Sequence, residues 1–267
     1  MRALITNDDG IDSPGLLALA IAACDAGLDI VVAAPATEAS GSSASIIATE
    51  AHAVTAAGGH GRIRVTPRTL AGLDVPAFAV HAAPALIALI AAHNAFGEKP
   101  DLVLSGINRG ANVGHAIIHS GTVGAALTGG VNGARGLAVS LETGDSPPQW
   151  VTASTMVARI LPAVIESPVG SVLNFNVPDA TSIDGIDIIE AKLAPFGIVH
   201  TTMTERDDEH VNLKIAEPLD KFEPDTDAAI LASGHATITS VTAVREVPGF
   251  WAAALELVAT SGDSPPR

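Results

Sequence analysis

The chain has 267 residues, 48% of them hydrophobic, and 29 Asp and Glu against 14 Lys and Arg, for a formal net charge of −15. That length suits one large α/β domain or one domain with an appendage, and that charge works against binding to nucleic acid polymers or anionic membranes. A single cysteine, Cys24, excludes an intrachain disulfide and gives no zinc signature. No basic stretch leads into a long apolar run and no span reaches membrane length, so a soluble cytoplasmic protein is expected.

The first stretch, MRALITNDDGIDSPGLL, is the most informative. Ala3 to Thr6 reads as a buried strand that runs straight into Asn7-Asp8-Asp9-Gly10. A helix start follows, with Ser13 as N-cap, Pro14 at the first helical position and Leu16, Leu17 and Ile21 as an apolar face. Two adjacent carboxylates therefore stand at the carboxyl end of a strand, the edge where open α/β sheets bind ligands. Such neighbours repel, more so when buried. No Lys or Arg lies between Arg2 and Arg62 to offset them, whereas Asp12, Asp25, Asp29, Glu38 and Glu50 add to the negative charge there. A hard divalent cation, Mg²⁺ or Mn²⁺, suits this oxygen-only supply; a solvated Asp-Asp-Gly turn is the plainer alternative.

The first helix ends near Gly27, and Asp29 to Ala33 reads as a second parallel strand. The loop Ala34 to Ser45 follows it, carrying Ser40, Ser42, Ser43 and Ser45 either as a flexible linker or as a hydroxyl-bearing wall. Ile63 to Val65 and Phe78 to Val80 read as short strands, with a turn-rich excursion from Thr66 to Pro76 between them. Pro84 to Phe96 reads as a buried helix and Asp101 to Ser105 as a core strand. Next comes a loop, GINRGANVGHAIIHSGT, from Gly106 to Thr122. Its glycines recur at 106, 110 and 114, which is not the dinucleotide fingerprint. Asn108 and Asn112 supply amide oxygens, and Arg109 is its only full charge. Ser120-Gly121-Thr122 opens a helix of small residues, Val123 to Val131. Free N–H groups at such a start, beside a hydroxyl, form an anion site, and this is compatible with capping by Ser120. His115 and His119 stand four apart but lack the Glu of a zinc-protease helix, and read as packing or surface residues, with approach to the site as the alternative.

Leu137 to Ser140 and Val172 to Asn176 read as strands on either side of a helix from Val151 to Ile165. Beyond Asp179 the periodicity changes. Ile186 to Leu193 and Val211 to Ile215 alternate like an antiparallel ribbon with Asp207-Asp208-Glu209 as its turn. Asp225 to Ser233 reads as a short helix, Ala236 to Val241 as a strand, and Phe250 to Val258 as an amphipathic helix. The expected division is a core of residues 1–180, a β-rich extension of residues 181–260 and a disordered tail of residues 261–267.

Four of these stretches together resemble the SurE family (survival protein E), metal-dependent nucleoside monophosphate phosphatases. They are TNDDG at Thr6 to Gly10 with SPG just after it, the loop bearing Pro35, Ser40 and Ser45, SGINRGANVG at Ser105 to Gly114, and HSGTVGAAL at His119 to Leu127. Weaker echoes are NFNVPD from Asn174 and TDAAILASGHATIT from Thr226. The resemblance implies a Rossmann-like, three-layer α/β core with a mostly parallel sheet, and a β-rich C-terminal extension that swaps to build a homodimer or tetramer. It implies one divalent metal ion, Mg²⁺ or Mn²⁺, held by Asp8, Asp9, Ser40 and Asn108. Asn112, Ser120, Gly121 and Thr122 would line the phosphate pocket, and Asp8 or Asp9 would also serve as acid or base. The implied reaction is hydrolysis of nucleoside monophosphates to nucleoside and phosphate, so the partners are a small phosphate ester and a second copy of the chain.

The chain departs from the family where the nucleoside would lie. Ala36-Thr37-Glu38-Ala39 stands where basic residues are usual, and His81-Ala82-Ala83-Pro84 replaces a Gly-Thr-Pro segment. The stretch Thr204 to Asn212 is also short. A non-catalytic or weakly catalytic nucleotide-binding relative is therefore the alternative. Other hydrolase patterns fit less well. The haloacid-dehalogenase phosphatases need two Asp separated by one residue, and a nucleophile elbow needs a second Gly that Gly41 to Ser45 lacks.

Overall fold

In β1 (Arg2–Thr6), Ala3 and Ile5 alternate with Leu4, and all three are fully buried. A strand that is apolar on both faces has to be covered on both sides, as in a doubly wound sheet. The structure, a computed structural model, has that arrangement and describes residues 1–48, 62–144, 147–195, 200–206, 211–216, 223–242 and 244–246.

After β1 come helix α1 (Pro14–Asp25), β2 (Asp29–Pro35), β3 (Val65–Leu70), β4 (Leu73–Val80), α2 (Pro84–Ala91) and β5 (Leu102–Arg109). A 3-10 helix (Gly114–His119) leads to α3 (Gly121–Val131), β6 (Arg135–Leu141), α4 (Trp150–Glu166) and β7 (Val172–Val177). Then follow β8 (Ile188–Glu190), β9 (His200–Arg206), β10 (Val211–Ala216), α5 (Asp227–Ala232) and β11 (Ala236–Val241). Among the described residues one nine-stranded sheet runs in the order β3-β4-β2-β1-β5-β6-β7-β11-β8, mostly parallel. Ala3, Ile5, Val32, Leu104, Val139 and Phe175 pack with α1 and α4 on one face. Leu4, Val31, Ala33 and Val103 pack with α2 and α3 on the other. The fold is thus a three-layer α/β sandwich. No helix among the described residues is long and apolar enough to cross a membrane.

Two of the sequence expectations need correction. Thr66 to Pro76 is not a turn-rich excursion: β3 and β4 form an antiparallel hairpin that turns at Ala71-Gly72 and continues the sheet edge. Val211 to Ile215 does belong to an antiparallel ribbon, but its partner is β9, not Ile186 to Leu193. The latter contributes only the short β8, which lies parallel to β11. The segments alternate similarly, and alternation alone does not choose between partners. Residues beyond 180 are thus shared between the core sheet, through β8 and β11, and a separate two-stranded sheet. The expected turn at Asp207-Asp208-Glu209, helix at Phe250 to Val258 and tail from Ser261 lie outside the described residues.

Pro162 sits inside α4. The carbonyl it leaves without an amide partner belongs to Ala158, which is exposed and can bond to water.

The sheet order fixes where a ligand can bind. From β1 the chain moves outward through β2 to β4, then returns to place β5 on the other side of β1. The carboxyl ends of β1 and β5 therefore flank the switch point of the sheet, where the covering loops part in opposite directions and leave a crevice.

Candidate active site

At that crevice the chain after β1 makes a tight turn. Asn7, fully buried, closes it at both ends: its Nδ2 donates to the Gly10 carbonyl at 3.0 Å, and its Oδ1 accepts from the Gly10 amide at 3.1 Å. Gly10 has φ of +100°, a value that side-chain-bearing residues rarely adopt. The turn aims Asp8 and Asp9 into a cavity of about 720 Å³.

β5 supplies the opposite corner. Its pairing with β6 shifts register between Ser105 and Asn108, around Gly106 at φ +141°. This irregularity turns Asn108 and Arg109 toward the cavity, which both of them line. The Arg109 amide donates to Asp9 Oδ2 at 3.1 Å, and Asn108 Nδ2 donates to the Gly110 carbonyl at 2.8 Å, which orients the amide group.

Asp8 sits at the start of α3. The Thr122 amide donates to Asp8 Oδ2 at 3.1 Å and the Thr122 hydroxyl to Asp8 Oδ1 at 2.5 Å. The anion seated at this helix N-terminus is therefore Asp8 itself, favoured there by the aligned amides. Ser120 caps the same helix, its Oγ accepting from the Val123 amide at 3.2 Å. Gly121 is small because Asp8 is close: a Cβ there would lie 2.8 Å from Asp8 Oδ2 and 2.5 Å from Ser42 Oγ.

Of the residues singled out in the sequence, Asp8, Asp9, Ser40, Asn108, Asn112 and Ser120 line one cavity. Gly121 and Thr122 are buried behind Asp8. Asn112 also belongs to a polar cluster that the sequence did not reveal. Its amide donates to Asn176 Oδ1, its Nδ2 donates to Ser140 Oγ, and its carbonyl accepts from Nδ2 of both Asn174 and Asn176, all at 2.8 Å. His119, read as a packing or surface residue, is exposed on the cavity wall, at the end of the 3-10 helix rather than in a loop. The wall also includes Glu38, from the altered Ala36–Ala39 segment, and Pro14, Pro148 and Trp150, which the sequence had not pointed to as part of a site.

Burial pushes the Asp8 carboxyl above its usual range, against the lowering effect of its bonds to Thr122. Asp9 is also pushed up, first by burial and further by the charges of Asp8 and Glu38, with the Arg109 amide opposing. Among the described residues no Lys, Arg or His lies in an ion pair with either carboxylate. Neighbouring oxygens complete a donor set without nitrogen or sulfur. Asn108 Oδ1 is 3.4 Å from the Thr122 hydroxyl, and Ser40 lines the same wall. Ser40 gives its hydroxyl proton to Glu38 Oε1 at 2.7 Å, which leaves its lone pairs available for a cation. Ser42 Oγ, close to Asp8, is buried with no hydrogen-bond partner. A hard divalent cation fits this set: it takes oxygen ligands and offsets the repulsion between the carboxylates. The described residues contain no cluster of three or more His, Cys, Asp or Glu suited to a metal, so such an ion would have only two charged ligands and would keep positions for water or a phosphate.

Comparison with known proteins places the chain in a family. The family model described as survival protein SurE matches residues 3–199. The 5'-nucleotidase SurE of Methanopyrus kandleri is 40% identical over 205 residues, 73% of this chain and 72% of that protein. That of Moorella thermoacetica is 35% identical over 254 residues, 90% of this chain and 89% of that one, and that of Nitrobacter hamburgensis is 32% identical over 263 residues, with shares of 94% and 96%. The crystal structure of the SurE protein from Aquifex aeolicus superposes with a TM-score of 0.71 at 24% identity, over 97% of this chain and all of that one. The chain belongs to the SurE family.

Proposed function

We propose that the protein is a divalent-metal-dependent phosphomonoesterase that hydrolyses nucleoside monophosphates to nucleoside and phosphate. The observation that carries this reading is the convergence of two carboxylates, an amide and hydroxyls on one cavity, in a family whose curated relatives are named 5'-nucleotidases. Asp8, Asp9, Ser40 and Asn108 would hold the ion, Mg²⁺ or Mn²⁺. Once bound, it supplies Lewis acidity toward the phosphoryl oxygens and toward water.

The remaining work is positioning and charge stabilisation, which phosphoryl transfer mainly needs. Thr122 fixes both Asp8 oxygens. Asp9 Oδ1 has no hydrogen-bond donor among the described residues and is the oxygen open to a reacting proton. The Ser120 hydroxyl accepts the Val123 amide and keeps its own proton to donate to a phosphoryl oxygen. Asn112 offers its second amide hydrogen, the first being used on Ser140. Arg109 adds a positive charge at the wall, and the His119 ring adds a further polar group. The cytoplasmic location and the self-association through residues beyond 180 belong to the same proposal; the solitary Cys24 is in keeping with a reducing compartment.

The test is phosphate release from a panel of nucleoside monophosphates and p-nitrophenyl phosphate, with Mg²⁺, Mn²⁺ or EDTA. Release that needs metal is expected. If nucleotides raise the melting temperature yet no phosphate appears with any metal, the chain is a binding relative, the reading that Glu38 in the cavity wall favours.

A second expectation concerns Thr122. Thr122→Val keeps the shape but removes the hydroxyl bonded to Asp8. Mn²⁺ affinity measured by calorimetry should fall by about 10- to 100-fold, the usual effect of losing a group that orients a ligand. Thr122→Ser should restore it.

A further inference from the structure

Aromatic residues are scarce in this chain: six Phe, two Trp and no Tyr. One of the two tryptophans, Trp150, is half-buried at the first position of α4 and lines the cavity that holds Asp8 and Asp9. Its ring edge abuts α1 at Gly15: a Cβ on Gly15 would lie 2.9 Å from Trp150 Cζ3 and 3.1 Å from the Ile107 carbonyl carbon. The indole therefore sits next to the residue that precedes Asn108.

Pro14 and Pro148 line the cavity with it, and the segment before α4 is held in place by the Gln149 amide, which donates to Asp179 Oδ1 at 2.9 Å. The indole N–H has no hydrogen-bond partner among the described residues. The cavity lining thus has two unlike parts. One is the oxygen-rich, charged set around Asp8 and Asp9. The other is apolar, an indole and two prolines. At about 720 Å³ it lies in the range of small-molecule sites.

We infer that Trp150, flanked by Pro14 and Pro148, is a specificity-determining residue that stacks on the planar ring of the substrate's alcohol part, so that the cavity selects nucleobase-bearing phosphate monoesters. This rests on the phosphomonoesterase reading and deepens it. An indole and a nucleobase stack through their flat faces with little sequence or base preference. The wall therefore distinguishes esters with a ring from esters without one more than it distinguishes one base from another. It also gives the chain a nucleoside contact in a region that the altered Ala36–Ala39 and His81–Pro84 segments do not supply.

The test compares an adenine nucleoside 5'-monophosphate with glycerol 2-phosphate, which has no ring. Trp150→Leu keeps apolar bulk against the core and removes the stacking face. It should raise KM for the nucleotide about tenfold with kcat little changed, and Trp150→Phe should recover most of the loss. Glycerol 2-phosphate turnover should be the same in all three proteins. A parallel fall on both esters would mean that Trp150 only supports the fold, and equal nucleotide KM in all three would remove it from the site; either result overturns the inference. A second readout needs no turnover. In metal-free protein carrying Trp251→Phe, so that Trp150 is the only indole, adenosine should quench the emission saturably. Unchanged emission overturns the inference, and quenching in a protein that cleaves no ester would sustain the stacking wall while sinking the phosphatase.

Discussion

Asp9→Asn is expected to reduce metal-dependent phosphate release by at least about a thousandfold, roughly 4 kcal/mol of lost charge stabilisation, while the melting temperature stays the same or rises. The two halves of this expectation share one cause. Asp9 is held above its ordinary carboxyl range by burial and by the charges of Asp8 and Glu38. Asparagine removes that repulsion and keeps an oxygen that can accept from the Arg109 amide, the bond Asp9 Oδ2 now makes at 3.1 Å. The fold loses nothing it relies on, whereas the site loses one of the two carboxylates proposed to hold the ion. Activity assays beside a thermal melt check both halves. A fully active Asp9→Asn protein would refute the proposed chemistry, and an inactive but unfolded one would show instead that the carboxylate is structural.

Much of the architecture was legible because it is written in short-range patterns. The Ala3–Leu4–Ile5 alternation, the Asn7–Gly10 turn and the Ser13-Pro14 helix start each involve only a few neighbouring residues. The same holds for Ser120 as the cap of α3. What the sequence left open is what depends on distant partners. The ribbon partner of β10 was misassigned because several polar-apolar alternations compete for it. The cluster of Asn112 with Ser140, Asn174 and Asn176 spans three parts of the chain, two of which, β6 and β7, are brought into line only by their parallel pairing. Trp150 is more than 130 residues from Asp8 in the chain and reaches the same cavity only because α4 packs beside α1. The helix-start motif was legible as an anion site, but not that the anion would be Asp8.

One further connection joins the C-terminal part of the chain to the cavity. Asp227, fully buried at the start of α5, accepts from the amides of Gly114 at 2.8 Å, Ala194 at 2.9 Å and Ala228 at 2.8 Å. Gly114 begins the 3-10 helix whose last residue, His119, lines the cavity. That wall is therefore positioned by residues beyond 180, and also by the serine loop, where Ser43 Oγ donates to the Ile118 carbonyl at 2.6 Å. The cavity is assembled from both ends of the sequence, so a change far from Asp8 can move its walls.

Gly15→Ala should move one of these walls from close by, and with the largest cost to the fold. Gly15 lies in the first turn of α1, buried, and its Cα faces the Ile107 carbonyl so closely that an added methyl carbon would sit well inside van der Waals contact distance of that oxygen. The same methyl would lie 2.9 Å from Trp150 Cζ3. An indole can turn aside at modest cost, but the carbonyl is main chain at the register shift of β5 and has little room to retreat. Relief requires α1 to move away from the sheet, which opens the packing of Leu16 and Leu19 against the core. Overpacking of this kind costs up to about 3 kcal/mol, or ~8 °C in melting temperature for a chain of this size. The displacement is also transmitted one residue along, to Asn108, so catalytic efficiency at 25 °C should fall although no polar group has been touched. The gain that alanine normally brings inside a helix, about 1 kcal/mol over glycine, acts in the opposite direction. A variant as stable as the parent would show that α1 and β5 are less tightly apposed than this geometry requires.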